Sequence, residues 1–342
     1  MKKNTLVLIG LLACQSIAAQ QETTDTASYP ALEKRVGAIE KIVSKLPSVS
    51  GLINLRYQYD SASDANGFDI RRVHLNLKGE LTKKLDYSFQ AEFAGSPKIL
   101  DAYVRYKLDR RFNLQVGEFK IPFSIENTYG PSTLETADNS LAISRLCNYS
   151  DVSGIASNGR DIGLSAYGGF FPQDGYNLVD YAVGVFNGNG INLSDNNTSK
   201  DFSGRLTLNP IRHLSVAGSY YNGSYGKTGD THYRTRTGFG AKWEDKRLLI
   251  RSEYICGNTG GIKSQGAYAV AGYFLTEQLQ TVAKYDYFQQ DKTDAASKET
   301  DYSLGLNYYP VKFLRLQANY TYKNFRSEKD THYLAVQLFA LF

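Results

Sequence analysis

His332-Tyr-Leu-Ala-Val-Gln-Leu-Phe-Ala-Leu-Phe342 closes the sequence on an aromatic residue. In an extended strand Leu334, Val336, Leu338, Ala340 and Phe342 share one face, and Tyr333, Ala335, Gln337 and Phe339 share the other. A soluble domain seldom ends this way, because frayed termini are usually polar. A membrane β-barrel needs such a segment: the last strand closes the sheet and sets an apolar face against lipid.

The opposite end points to the same compartment. Lys2 and Lys3, the apolar run Thr5 to Ala13 and the small residues around Ser16 to Gln20 read as a signal peptide over 1–19. Leu11-Leu-Ala-Cys14 also resembles a lipobox, which would make Cys14 a lipidated N-terminus, although Leu12 is bulky for its position. No later apolar run approaches the roughly 20 residues of a spanning helix, so insertion must be as a barrel. The mean hydropathy of −0.38 agrees, since alternating strands hide their lipid face from any average. The formal charge of +5 is a mild excess and excludes little. Cys147 and Cys256 are the thiols left after cleavage; whether they pair cannot be deduced from two residues.

Residues 20–30 form a polar linker. Leu32, Val36, Ile39, Val43 and Leu46 then recur at 4-3-4-3 spacing, the seam of a heptad helix over 31–47 between Pro30 and Pro47. Barely more than two heptads cannot hold a coiled coil alone. Either tethered barrels bring several helices together in an oligomer, or the helix is a single amphipathic arm.

From 51 to 342 the period is two. Ile53, Leu55, Tyr57 and Tyr59 alternate with Asn54, Arg56 and Gln58; Leu100, Ala102, Val104 and Tyr106 alternate with Asp101, Tyr103, Arg105 and Lys107. Sixteen segments follow this rule, near 51–60, 68–80, 84–94, 98–108, 111–120, 159–169, 175–186, 201–210, 212–222, 231–244, 246–256, 265–275, 278–289, 300–309, 311–324 and 332–342. A soluble sandwich also alternates, but aromatic residues cluster here near strand ends, as in the girdles of an outer-membrane barrel. The expected fold is an all-β, 16-stranded antiparallel transmembrane barrel. Short turns alternate with longer connections such as 61–67 and 257–264, and the even count puts both ends in the periplasm. Sixteen strands leave an aqueous lumen. The third external connection, 121–158, is long enough to fold into that lumen and narrow it, with an external cap as the alternative.

Phe68-Asp-Ile-Arg-Arg-Val-His-Leu-Asn-Leu-Lys-Gly79, Leu100-Asp-Ala-Tyr-Val-Arg-Tyr-Lys107, Val116-Gly-Glu-Phe-Lys-Ile-Pro-Phe-Ser124 and Gly159-Arg-Asp-Ile-Gly163, in this order, resemble the phosphate-selective porin O and P family. The resemblance covers nearly the whole mature chain. It implies a trimeric sixteen-stranded porin of the Gram-negative outer membrane, whose third loop constricts the pore and whose arginines and lysines guide anions.

Parity, read independently, turns Arg56, Arg72, His74, Lys78, Arg105, Lys107, Arg205, Arg234, Arg236, Lys242, Arg251, Lys284, Arg315 and Lys323 toward the lumen. Asp86, Glu92, Asp101, Asp161, Glu253 and Asp286 oppose them. Lys120, Arg145 and Arg160 lie in or beside the long loop. Cations along a narrow path concentrate anions, and Arg234 and Arg236, two apart, have a spacing suited to passing an anion along. Alternatively these are Arg–carboxylate pairs that stabilise the wall. The expected partners are small hydrophilic solutes, anions foremost, the outer-membrane lipid and the barrel assembly machinery. An unselective or sugar-selective porin is the alternative. His74, His213, His232 and His332 show no metal-ligand spacing, and Asn187-Gly-Asn-Gly190 lacks the helix of a nucleotide-binding turn. Nothing points to a cofactor, catalysis or nucleic acid, although a barrel hydrolase with its catalytic Ser or Asp beside a His is compatible with spacing alone.

Overall fold

The computed structural model describes residues 33–38, 46–147 and 149–342. Residues 33–38 are helical, Val36 is exposed and Leu46 lies in a bend. The signal peptide, the linker and the seam residues Leu32, Ile39 and Val43 lie outside the described residues. Two compact units divide the chain at Leu46 and Pro47.

The second unit is a closed antiparallel barrel. Its strands are β1 (Ser48–Asp60), β2 (Ala65–Thr82), β3 (Leu85–Glu92), β4 (Lys98–Lys107), β5 (Asn113–Lys120), β6 (Arg160–Pro172), β7 (Asn177–Phe186) and β8 (Asp201–Ile211). They continue with β9 (Leu214–Tyr225), β10 (His232–Glu244), β11 (Leu248–Thr259), β12 (Ile262–Phe274), β13 (Leu279–Gln289), β14 (Lys298–Val311), β15 (Leu314–Phe325) and β16 (Thr331–Leu341). Each strand pairs with its sequence neighbours, and β16 returns to β1 in register from Leu52–Leu341 to Asp60–Tyr333. Phe342 completes the closure: its amide and carbonyl pair with Gly51. A Cβ on Gly51 would lie 2.1 Å from the Phe342 ring, so only glycine admits the ring there. Outward positions such as Phe239, Leu304, Leu306 and Val336 are exposed apolar side chains, the lipid face of the alternation.

Two expected loops are tight turns instead. β2 begins at Ala65, leaving 61–64, and β11 runs to Thr259, so that Gly260 and Gly261 alone turn the chain, both with positive φ (57° and 100°). Asn258, Lys263 and Ser264 are polar because these hairpins continue beyond the apolar belt. Polarity there marks water, not the end of pairing.

Two β-bulges change which side chains face inward. Asn54 sits opposite Arg72 and Leu55 opposite Ile70, so Arg71 is the extra residue and both arginines turn to the lumen. Gln90 faces Asp101 and Ala91 faces Ile99, which makes Leu100 extra. Leu100, expected on the lipid face, is consequently buried inside.

Candidate functional site: a lumen narrowed by the third loop

The chain leaves β5 at Ile121-Pro-Phe-Ser124 and turns into the barrel. Ser124 adopts a left-handed φ of 69°, an unfavourable conformation for a residue with a Cβ. Glu253, inward on β11, holds the turn. Its carboxylate accepts from Ser124 Oγ (2.8 Å), the amides of Ile125 (2.7 Å) and Glu126 (2.9 Å), and Tyr268 Oη (2.7 Å). Asn127 donates to the carbonyls of Ile121 and Gly159, tying the outgoing limb of the loop to the returning one. Farther on, the short helix Leu141–Leu146 buries Ala142, Ile143 and Leu146 in a cluster with Ile255, Tyr268, Val270, Val282 and Phe288. These wall residues sit on inward positions of β11–β13, where an open aqueous wall would be polar. Their apolar run was the signal for the docking site of the loop.

Several of the arginines expected to line the channel do not line an open path. Arg234, Arg236, Arg251 and Arg315 are 0–3% exposed. Arg251 pairs with Glu126 (3.3 Å) and Glu135 (2.8 Å) of the loop and lies 4.2 Å over the Tyr129 ring. Arg236 meets Asp151 (2.9 Å), and Arg234 meets Asp201 (2.8 Å), the Gly188 carbonyl and Tyr221. Arg315 donates to the carbonyls of Leu134 and Pro131, Lys284 pairs with Asp286 and donates to the Asp138 carbonyl, and Arg205 donates to the Ser124 carbonyl. A buried charge is tolerated only when paired, and removing one partner costs about 3–5 kcal/mol. These side chains therefore fasten the loop. The expectation that Arg234 and Arg236 hand an anion along is corrected: both are sealed from the lumen.

Other inward basic side chains are partnered within the wall: Arg56 with Asp69, His74 with Glu92 (2.8 Å), Arg105 with Asp86 (2.8 Å), Lys107 with Glu80 and Asp86, and Lys242 with Glu244. Lys78 is exposed near the turn end of β2. Cys147 is buried in the loop and Cys256 is on β11; both are free thiols.

An opening of about 510 Å³ remains between the loop and the wall. Arg71 and Arg72 of β2, Lys120 at the end of β5 and Arg160 at the start of β6 line it, with Arg145, Lys284 and Lys323. Glu92, Asp138, Asp286, Glu299 and Asp301 are the acidic lining. Most of these charges are committed. Arg71 holds the Asp138 carboxylate and the Ala137 carbonyl (2.8 Å), Arg160 holds Asp101 (2.8 Å), and Arg145 approaches Glu299 at 3.7 Å. Lys120 donates to the carbonyls of Asn127 and Tyr129, and Lys323 lies 5.0 Å over the Tyr333 ring. Arg72, among the described residues, has neither a hydrogen bond nor an ion pair for its guanidinium, which faces the opening. Arg71 was missed in the sequence, although its signal was present: Phe68 and Ile70 are apolar at even positions, and Val73, Leu75 and Leu77 at odd ones. That phase break is the bulge.

Asn192, in the β7–β8 connection at φ 58°, was also missed, and it has no signal in the sequence. The ladder between β4 and β5 begins only at Ala102 and Glu118, since the chain beyond β5 turns inward. Asn192 fills the vacated place. Its side chain accepts from the Ile99 amide (2.9 Å) and donates to the Ile99 carbonyl (2.7 Å), and Glu118 accepts from its amide (2.7 Å) and side chain.

Residues 53–339 match the family described as phosphate-selective porin O and P. The chain belongs to that family. Solved structures with the same fold include an anion-selective porin from Comamonas acidovorans, with a TM-score of 0.66 at 14% identity over 86% of this chain and 99% of that one. The outer membrane channel DcaP of Acinetobacter baumannii has a TM-score of 0.62 at 13% identity, covering 86% and 97%. OmpF of Salmonella typhi has 0.64 at 12% identity, covering 88% and 99%. No curated protein sequence matches the chain. Family and barrel together make this an outer-membrane porin of the Gram-negative type and point to a channel rather than an enzyme.

Proposed function

We propose that the porin passes small hydrophilic anions, oxyanions such as phosphate among them, through the opening between loop and wall. The observation that carries this reading is the uncommitted guanidinium of Arg72. Among the arginines buried beneath the loop, Arg234, Arg236 and Arg251 are cancelled by carboxylates a hydrogen bond away, so these three contribute little field in the water. A unit charge about 6 Å from a permeating ion is worth ~0.7 kcal/mol in water, about a threefold local enrichment, and low-dielectric walls enlarge it. The Comamonas porin, described as anion-selective, supports the reading by likeness of fold. Export by the signal peptide, insertion by the barrel assembly machinery and a trimer gathered by the heptad helices belong to the same proposal.

Reversal potentials of the purified porin in planar bilayers under a salt gradient test it. Wild type should be anion-selective, and Arg72→Ala should lower the anion-to-cation ratio several-fold at 0.1 M salt, because the field that enriches anions also depletes cations, and less at 1 M, where the Debye length falls to about 3 Å. A cation-selective wild type would make an unselective or sugar-selective porin the better account.

A further inference from the structure

The bulge in β2 places two consecutive arginines on the same inward face, both lining the opening. Adjacent guanidiniums could close on one oxyanion from two sides, since each presents a planar fork of donors that matches carboxylate or phosphate oxygens. Only one is at liberty. Arg71 is occupied by the carboxylate of Asp138, which the loop carries across the lumen from the far wall. The neighbouring backbone is pinned independently, by Arg71 on the Ala137 carbonyl and Lys284 on the Asp138 carbonyl. The Asp138 carboxylate is therefore not what keeps the loop in place, and it stays half-exposed toward the opening.

We propose that Asp138 is a specificity-determining residue: a tethered carboxylate that occupies Arg71 and so prevents Arg71 and Arg72 from trapping a passing oxyanion. The proposal rests on anion passage through this opening. Its logic is that of any conducting site, where a binding step must attract the solute and yet release it quickly. One free arginine attracts. Two, acting as a bidentate pair on a dianion, would hold. Because the carboxylate is part of the chain, its local concentration at Arg71 far exceeds that of a solute, so monovalent ions do not displace it.

The test is Asp138→Asn, which keeps the shape and leaves both backbone anchors intact. Chloride current is measured in planar bilayers while inorganic phosphate is added at pH 7. The concentration that halves the current, each protein referred to its own phosphate-free conductance, should fall roughly fivefold or more relative to wild type. Arg71→Gln combined with Asp138→Asn should abolish the gain, because the second guanidinium is then gone. Unaltered block in Asp138→Asn overturns the proposal. So does a larger phosphate-free conductance without stronger block, which would make Asp138 a mechanical tether only. A cation-selective wild type would sink the anion-passage reading itself, whereas an anion-selective wild type with an unresponsive Asp138→Asn sinks only the role of Asp138.

Discussion

Replacing Glu253 by alanine should release the loop from the lumen without unfolding the barrel. The carboxylate takes four hydrogen bonds, three of them from the turn Ser124 to Glu126. Its loss leaves the buried amides of Ile125 and Glu126 without an acceptor, at ~1–3 kcal/mol each. Against this, Ser124 is freed from a left-handed conformation that costs ~1–3 kcal/mol. The net loss of docking free energy is about 2 kcal/mol, roughly thirtyfold in the ratio of docked to undocked loop. Two readouts report it. Single-channel recording should show higher conductance and slow, large current fluctuations. Labelling of Cys147 should accelerate, since this thiol is enclosed by the loop helix and burial holds its pKa well above the ordinary value. Heat-modifiable migration on gels separates an undocked loop from a misassembled barrel. A correctly assembled Glu253→Ala porin with wild-type conductance, quiet current and an unreactive Cys147 would refute the assignment of Glu253 as the anchor of the constriction.

Two further outcomes follow from named contacts. Asn192→Ala should leave the Ile99 amide and carbonyl without partners, at ~1–3 kcal/mol; hydrogen exchange over 98–101 and 118–121 should accelerate while mean conductance stays the same, and unchanged exchange would show that Asn192 does not complete the wall. With sulfate as the blocking dianion, whose charge is constant over this range, the contrast between Asp138→Asn and wild type should be flat from pH 5 to 8. Partial desolvation raises the half-exposed Asp138 carboxyl, but Arg71 and Lys284 more than offset it, so its pKa lies below the ordinary carboxylate value. A depressed pKa stabilises the latched state above the unlatched value of about 3.9 and is lost only as pH falls through the lower, latched value. Convergence of the two proteins near pH 6 would contradict that direction.

Much of the barrel was legible because period two is a local property: each strand declares its faces within ten residues. The bulges at Arg71 and Leu100 were half-legible, as a slip in the phase of the apolar residues. The docking of the loop was not. Glu126 and Glu135 are separated from Arg251 by more than a hundred residues, and Asp151 from Arg236 by eighty-five. No periodicity links them. What the sequence did carry was an inconsistency: Leu249, Ile255, Val270, Val282 and Phe288 are apolar at inward positions of a barrel that should hold water. Apolar residues on an aqueous wall require a cover, and the long connection 121–158 was the segment free to provide it.

That inconsistency also explains why counting inward cations overstates selectivity. Parity tells which way a side chain points, not what it meets. An inward arginine beneath the loop must find a carboxylate or several carbonyls, because an unpaired buried charge is not tolerated; once paired with a carboxylate it is electrically quiet at a distance. The residues that position the loop and those that tune the field are therefore largely different sets. Glu253, Arg251, Arg236 and Arg315 govern how far the loop reaches and hence the width of the path. Arg72, still facing water, governs which charge prefers it. Width and preference should accordingly respond to separate substitutions: Glu253→Ala changes conductance with modest change in the charge ratio, and Arg72→Ala does the reverse. Arg71 and Asp138 form a point where the two sets meet, since the same guanidinium touches the loop backbone, a loop carboxylate and the opening.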